Sequence, residues 1–131
     1  MTTVITFGTF DVLHIGHVRI IQRSRALGDR LVVGVSSDAL NFSKKGRRPV
    51  YPESERMEIV GALKCVDVVF KEESLDLKAE YIREHRADVL VMGDDWQGKF
   101  DHYNDICRVV YLPRTDGIST TELIQEIKKY D

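Results

Sequence analysis

Five short apolar runs, each followed by a loop and then by an amphipathic stretch, constrain this chain more than any other feature. Residues 4–7, 31–35, 66–70, 89–92 and 109–112 are rich in Val, Ile, Leu and aromatics, the residues that suit a pleated sheet. Leu31-Val32-Val33-Gly34-Val35 is apolar without alternation, which predicts a strand covered on both faces. Between the runs, Val18, Ile20, Ile21 and Leu27 recur at mixed helical spacing. Pro52-Glu53-Ser54-Glu55 opens a helix with proline and acids in its first turn, and two more helices are predicted near residues 74–85 and 119–129. Strands alternating with helices imply right-handed crossovers and a parallel sheet. The expected fold is a doubly wound, Rossmann-like α/β fold, with five parallel strands and helices on both faces. The 131 residues fit one domain, 1–131.

In such folds ligands bind beyond the carboxyl ends of the strands. The unusual residues of this chain fall there, in segments 9–17, 36–48, 93–99 and 113–121. The connection over 38–51 is predicted to be irregular, and its length suggests a lid.

Composition narrows the chemistry. The chain is 43% apolar and 31% charged with net charge −2, so neither a nucleic-acid partner nor a membrane surface is expected. Lys44, Lys45, Arg47 and Arg48 are a local exception, a basic run placed to close on a polyphosphate or simply to face solvent. Cys65 and Cys107 are too few and too isolated for disulfides or zinc, which suits a reducing, cytoplasmic setting. Residues 1–7 enter a strand pattern at once, so no leader is expected.

Four segments carry chemistry. Gly8-Thr9-Phe10-Asp11-Val12-Leu13-His14-Ile15-Gly16-His17 sets two histidines three apart where a loop meets a helix N-terminus, an anion-friendly position. Gly16 between them would let backbone approach a phosphate. Alone, the pair is equally compatible with one core and one surface histidine, and no third ligand nearby argues for a metal site. Pro113-Arg114-Thr115-Asp116-Gly117-Ile118-Ser119-Thr120-Thr121 offers three hydroxyls and an arginine at a second helix start, with Glu122 in capping-box register to Ser119. Met92-Gly93-Asp94-Asp95-Trp96 places two carboxylates beside the only tryptophan, to recognise a base or to form a turn. The basic run at 44–48 is the fourth.

Gly-Thr-Phe-Asp-x-x-His-x-Gly-His, Met-Gly-Asp-Asp-Trp-x-Gly-Lys-Phe-Asp and Arg-Thr-x-Gly-Ile-Ser-Thr-Thr, in this order and spacing, resemble the glycerol-3-phosphate cytidylyltransferases of the nucleotidylyltransferase superfamily. The resemblance covers essentially the whole chain. It implies transfer of CMP from CTP to a phosphorylated alcohol, glycerol 3-phosphate first, giving CDP-glycerol and pyrophosphate. It also implies Mg²⁺, a homodimer, and supply of teichoic-acid or capsule-like polymers. By the same resemblance His14, His17, Lys44 and Arg114 are catalytic. Thr9, Phe10, Gly16, Asp95, Thr115, Ser119 and Thr120 bind the nucleotide, and Asp11, Asp38, Arg56 and Lys64 surround the acceptor. Lys64 stands where the family usually has arginine, and the loop over 44–52 looks more like the Gly-Arg-x-Pro loop of related cytidylyl- and adenylyltransferases. Alternatives are a different acceptor, an adenylyltransferase of this fold, and a nucleotide-binding sensor without chemistry.

Overall fold

The structure is a computed structural model that describes residues 1–130. Strand β1 (Thr3–Gly8) leads into α1 (Ile15–Arg25), β2 (Arg30–Ser36), α2 (Asp38–Lys45), α3 (Glu53–Gly61) and β3 (Val68–Glu72). After a 3₁₀ turn at Leu75–Leu77 come α4 (Lys78–Glu84) and β4 (Val89–Gly93). Two 3₁₀ turns at Asp94–Trp96 and Asp101–Asp105 precede β5 (Arg108–Leu112), and α5 (Thr120–Ile127) follows it.

All pairings are parallel, in the order β3-β2-β1-β4-β5. The chain winds outward from β1 to β3, then returns to the other side of β1 for β4 and β5. The reversal lies between β1 and β4, so their carboxyl ends flank the crevice where such folds hold ligands.

The unbroken apolar run in β2 has the predicted cause. Leu31, Val33 and Val35 join a cluster with Val4, Ile21 of α1 and Val60 of α3. Val32 joins a second cluster with Ile5, Phe7, Leu90 and Ile82 of α4. Successive side chains thus enter opposite layers, each closed by helices.

Three expectations about elements need correction. Residues 38–51 are not an irregular loop: α2 occupies their first half, with Ser37 Oγ accepting from the Leu40 N–H and Gly46 closing the helix at φ 73°. The sequence hides this helix because its one buried residue is polar, Asn41. Strand β3 starts two residues later than read, because Val66 closes a turn on Leu63 and Asp67 caps β2 through the Leu31 N–H. The helix read near 74–85 is divided into a 3₁₀ turn and α4.

Candidate active site

The first helix caps itself with the histidine pair. The Gly16 N–H donates to Nδ1 of His14 at 3.0 Å, and the His14 N–H donates to Nδ1 of His17 at 3.1 Å. A ring nitrogen that accepts from backbone carries no proton, so each neutral ring bears its proton on Nε2. The rings stack at 3.9 Å between centroids. Burial lowers the His14 pKa, and the Arg114 charge lowers it further. His17 falls from 6.5 to about 4, through burial first, then His14 and Arg114, with Asp11 opposing. Near neutral pH this geometry offers two neutral Nε2–H donors beside an arginine.

Phe10 and Gly16 serve the histidines more directly than a ligand. Phe10 lies in the core, edge-on to His17 at 5.6 Å. A Cβ on Gly16 would come within 2.8 Å of the His14 ring, so glycine is needed to seat the imidazole over the first turn. The Gly16 N–H is also engaged, donating to His14 Nδ1.

Arg114, after β5, and Asp95, after the neighbouring β4, meet at 3.7 Å, both well exposed. Asp95 folds back over the end of β4, where a Cβ on Gly93 would meet its Oδ1 at 2.6 Å. Trp96 is partly exposed and packs on Phe100 at 5.6 Å. At α5, Ser119 Oγ accepts from the Glu122 N–H, forming half of the expected capping box. Thr120 Oγ1 donates to the Asp11 carbonyl at 2.9 Å, so its proton is committed to the protein. Thr115 is half-buried on the approach to α5.

The residues expected around the acceptor are largely engaged by the protein itself. Arg56 is fully buried. Its Nε donates to the Tyr51 carbonyl, Nη1 to the carbonyls of Thr9 and Ser36, and Nη2 to Asp38, all at 2.8–2.9 Å. Burial raises the Asp38 pKa, but the Arg56 and Glu53 hydrogen bonds outweigh it and hold the carboxyl below its ordinary value. Asp38 and Glu53 also cap each other's helix, each side chain accepting the other's backbone N–H. Asp11 accepts from the N–H groups of Val50 and Tyr51. Lys64 lies between the end of α3 and the start of β3, on the amino-end side of the sheet, and lines a groove with Val18, Gln22, Arg25, Leu63 and Cys65.

Two features escaped the sequence reading. Thr9 Oγ1 donates to Oδ1 of Asn41 at 2.9 Å, and the Asn41 amide donates to the carbonyls of Ser36 and Ser37. Asn41 thus ties α2 to the histidine loop, and nothing in its local sequence marks it. Glu72 and Lys78 form a buried ion pair, with the Lys78 ammonium 4.3 Å above the Phe7 ring. Lys44, in the last turn of α2, lies near this pair: partial desolvation of its ammonium lowers its pKa, Glu72 opposes that, and the charges of Lys78 and Lys45 lower it further. Its neighbours became visible only when β3 and α4 were placed.

Among the described residues no three of His, Cys, Asp or Glu converge as a metal cage. A divalent cation entering here with a nucleotide would draw its ligands from phosphate oxygens and water. No helix of the described residues is long and apolar enough to cross a membrane.

The Cytidylyltransferase-like family profile matches residues 5–126. The chain is 47% identical over 127 residues to glycerol-3-phosphate cytidylyltransferase of Bacillus subtilis, covering 97% of this chain and 98% of that protein. It is 41% identical to glycerol-3-phosphate cytidylyltransferase of Staphylococcus aureus, covering 97% and 96%. The bifunctional protein HldE of Syntrophotalea carbinolica is 42% identical, but the match spans only 27% of that longer protein. Among solved structures, a lipopolysaccharide core biosynthesis protein from Thermoplasma volcanium superposes with TM-score 0.74 at 28% identity, covering 88% of this chain and 99% of that one.

Proposed function

The chain belongs to the cytidylyltransferase-like family, and from that premise we propose that it transfers CMP from CTP to glycerol 3-phosphate, releasing pyrophosphate and forming CDP-glycerol. One observation carries the reading of the site: two stacked histidines with both Nδ1 atoms engaged, leaving two Nε2–H donors beside Arg114. End-to-end coverage of glycerol-3-phosphate cytidylyltransferases supports glycerol 3-phosphate as the acceptor.

The acceptor phosphate is already an anion at neutral pH, so no base is required to create the nucleophile. Its oxygen forms a new bond to the α-phosphorus of CTP in line, while the bond from that phosphorus to the bridging oxygen breaks and pyrophosphate leaves. Alignment and charge stabilisation are then the protein's contribution. His14 and His17 donate from Nε2 to phosphate oxygens, and Arg114 and Lys44 add positive charge. Ser119 and Thr115 take nucleotide phosphates at the start of α5, and Asp95 reads the cytosine. Thr9, Phe10, Gly16 and Thr120 shape the nucleotide site by holding its loops. With no metal cage among the described residues, a divalent cation such as Mg²⁺ would be held mainly by the nucleotide and would supply further charge neutralisation. The two unpaired cysteines suit the cytoplasm, and family resemblance supports a homodimer, which sedimentation would measure.

Pyrophosphate release with CTP and Mg²⁺ against a panel of phosphorylated alcohols, with ATP in parallel, tests the proposal. Turnover with CTP and glycerol 3-phosphate is expected. Turnover with ATP instead, or bound CTP with no release, would overturn it.

A further inference from the structure

The turn that delivers the histidines is bent against the preferences of its own residues. Phe10 has φ 53° and Val12 has φ 47°, a left-handed conformation that costs a bulky or β-branched side chain most. Such a turn persists only where the surroundings over-determine it. Three contacts distant in sequence do so here. Arg56 Nη1 donates to the Thr9 carbonyl at 2.8 Å. The N–H groups of Val50 and Tyr51 donate to the two Asp11 carboxylate oxygens at 2.7 and 2.9 Å. Thr120 Oγ1 donates to the Asp11 carbonyl from the start of α5.

Tyr51 links the first two contacts, because its N–H goes to Asp11 and its carbonyl receives Arg56 Nε. The segment between α2 and α3 is therefore gripped from both sides of one residue. Arg56 reaches from there to Ser36 at the end of β2 and to Asp38 at the start of α2. The strained turn, the end of β2 and the helix carrying Lys44 share one hydrogen-bonded support.

We propose that Asp11 and Arg56 are positioning residues: they brace the strained turn against Tyr51 and so set the histidine pair relative to α2, and they do not touch the acceptor. The proposal rests on the histidine pair being the reaction site. Both Asp11 oxygens and four of the five Arg56 N–H groups already have protein partners. A brace acts on alignment, so its loss lowers turnover; a ligand to the acceptor acts on acceptor affinity.

Asp11→Asn keeps the size of the side chain but turns an amide N–H₂ toward a backbone N–H. In the ligand-free protein, amide exchange at Val50 and Tyr51 is expected to quicken about tenfold or more. In the assay, kcat should fall about tenfold or more while the glycerol 3-phosphate KM moves less than about threefold. Arg56→Lys, which loses the fork, should behave alike. Unchanged exchange, or an acceptor KM raised about tenfold at normal kcat, would overturn the brace. Should Asp11→Asn not fold, Val50→Pro decides: it deletes one donor to Asp11 from an exposed position, and full turnover in that variant sinks the proposal. The exchange measurement needs no turnover. If the protein releases no pyrophosphate at all, the proposed function falls while the brace is still judged.

Discussion

Each histidine uses its two ring nitrogens for different ends. Nδ1 takes a backbone N–H and shapes the first turn of α1, while Nε2 keeps a proton free to donate. Replacing His17 by alanine should therefore lower kcat by about 10²–10³-fold in a pyrophosphate assay, the usual loss of one preorganised donor. The accompanying loss of a cap should cost about 1 kcal/mol in urea unfolding. The depressed pKa has a stability consequence of definite sign. His17 titrates at about 4 in the fold, against 6.5 when unperturbed, so the unfolded chain takes up the proton first as pH falls. The stability linked to His17 is fully present above about pH 6.5 and is lost progressively toward pH 4. The urea midpoint of the native chain should fall across that window, and that of His17→Ala should fall less. At this scale the sequence singled out the histidines as candidates. It could not show that Gly16 seats a ring, or that Arg56 and Asp11 are already occupied, since their partners are mostly backbone groups far along the chain.

Two helices here are stabilised by each other's ends as well as by their own propensities. The N-termini of α2 and α3 are capped reciprocally through Asp38 and Glu53, and Glu53 also pairs with Lys71 at 3.0 Å. The C-terminus of α2 depends on Gly46 at φ 73°, where a Cβ would meet no atom within 4 Å. Gly46→Ala should thus carry a purely conformational cost of about 1–2 kcal/mol. Fraying of the turn that holds Lys44 should lower kcat as well, which thermal melting and the assay together would show. Ser119→Ala removes the cap of α5 and should cost about 1 kcal/mol. The periodicity of α1 and the proline start of α3 were legible. Helix α2 was not, because it is short, mostly polar, and buries an asparagine that answers to Thr9 and the end of β2.

Across the whole molecule the least expected feature is the Glu72–Lys78 pair, buried between β3 and α4 beneath Phe100 and above Phe7. Removing one charge strands the other, so Lys78→Met should cost about 3–5 kcal/mol in urea unfolding, and adding Glu72→Gln should restore much of that loss. A full loss in the double variant would mean that packing, not charge, holds this region. By itself the sequence determined the class of fold and pointed to the end of the sheet where the candidate site lies. Short apolar runs, helical spacing and the βαβ handedness rule are local or nearly so. It also marked the candidate reacting groups, because His-x-Gly-His and the capped start of α5 are short-range patterns. Only the tertiary structure decided which charged groups are free. Arg56, Asp11, Asp38, Glu72 and Lys78 find partners 6 to 47 positions away. Lys64, exposed and charged like Arg114 in the sequence, ends in a groove beside α1. A charge reads the same in sequence whether it faces a ligand or a carbonyl, and only the packed fold sets its neighbours and its burial.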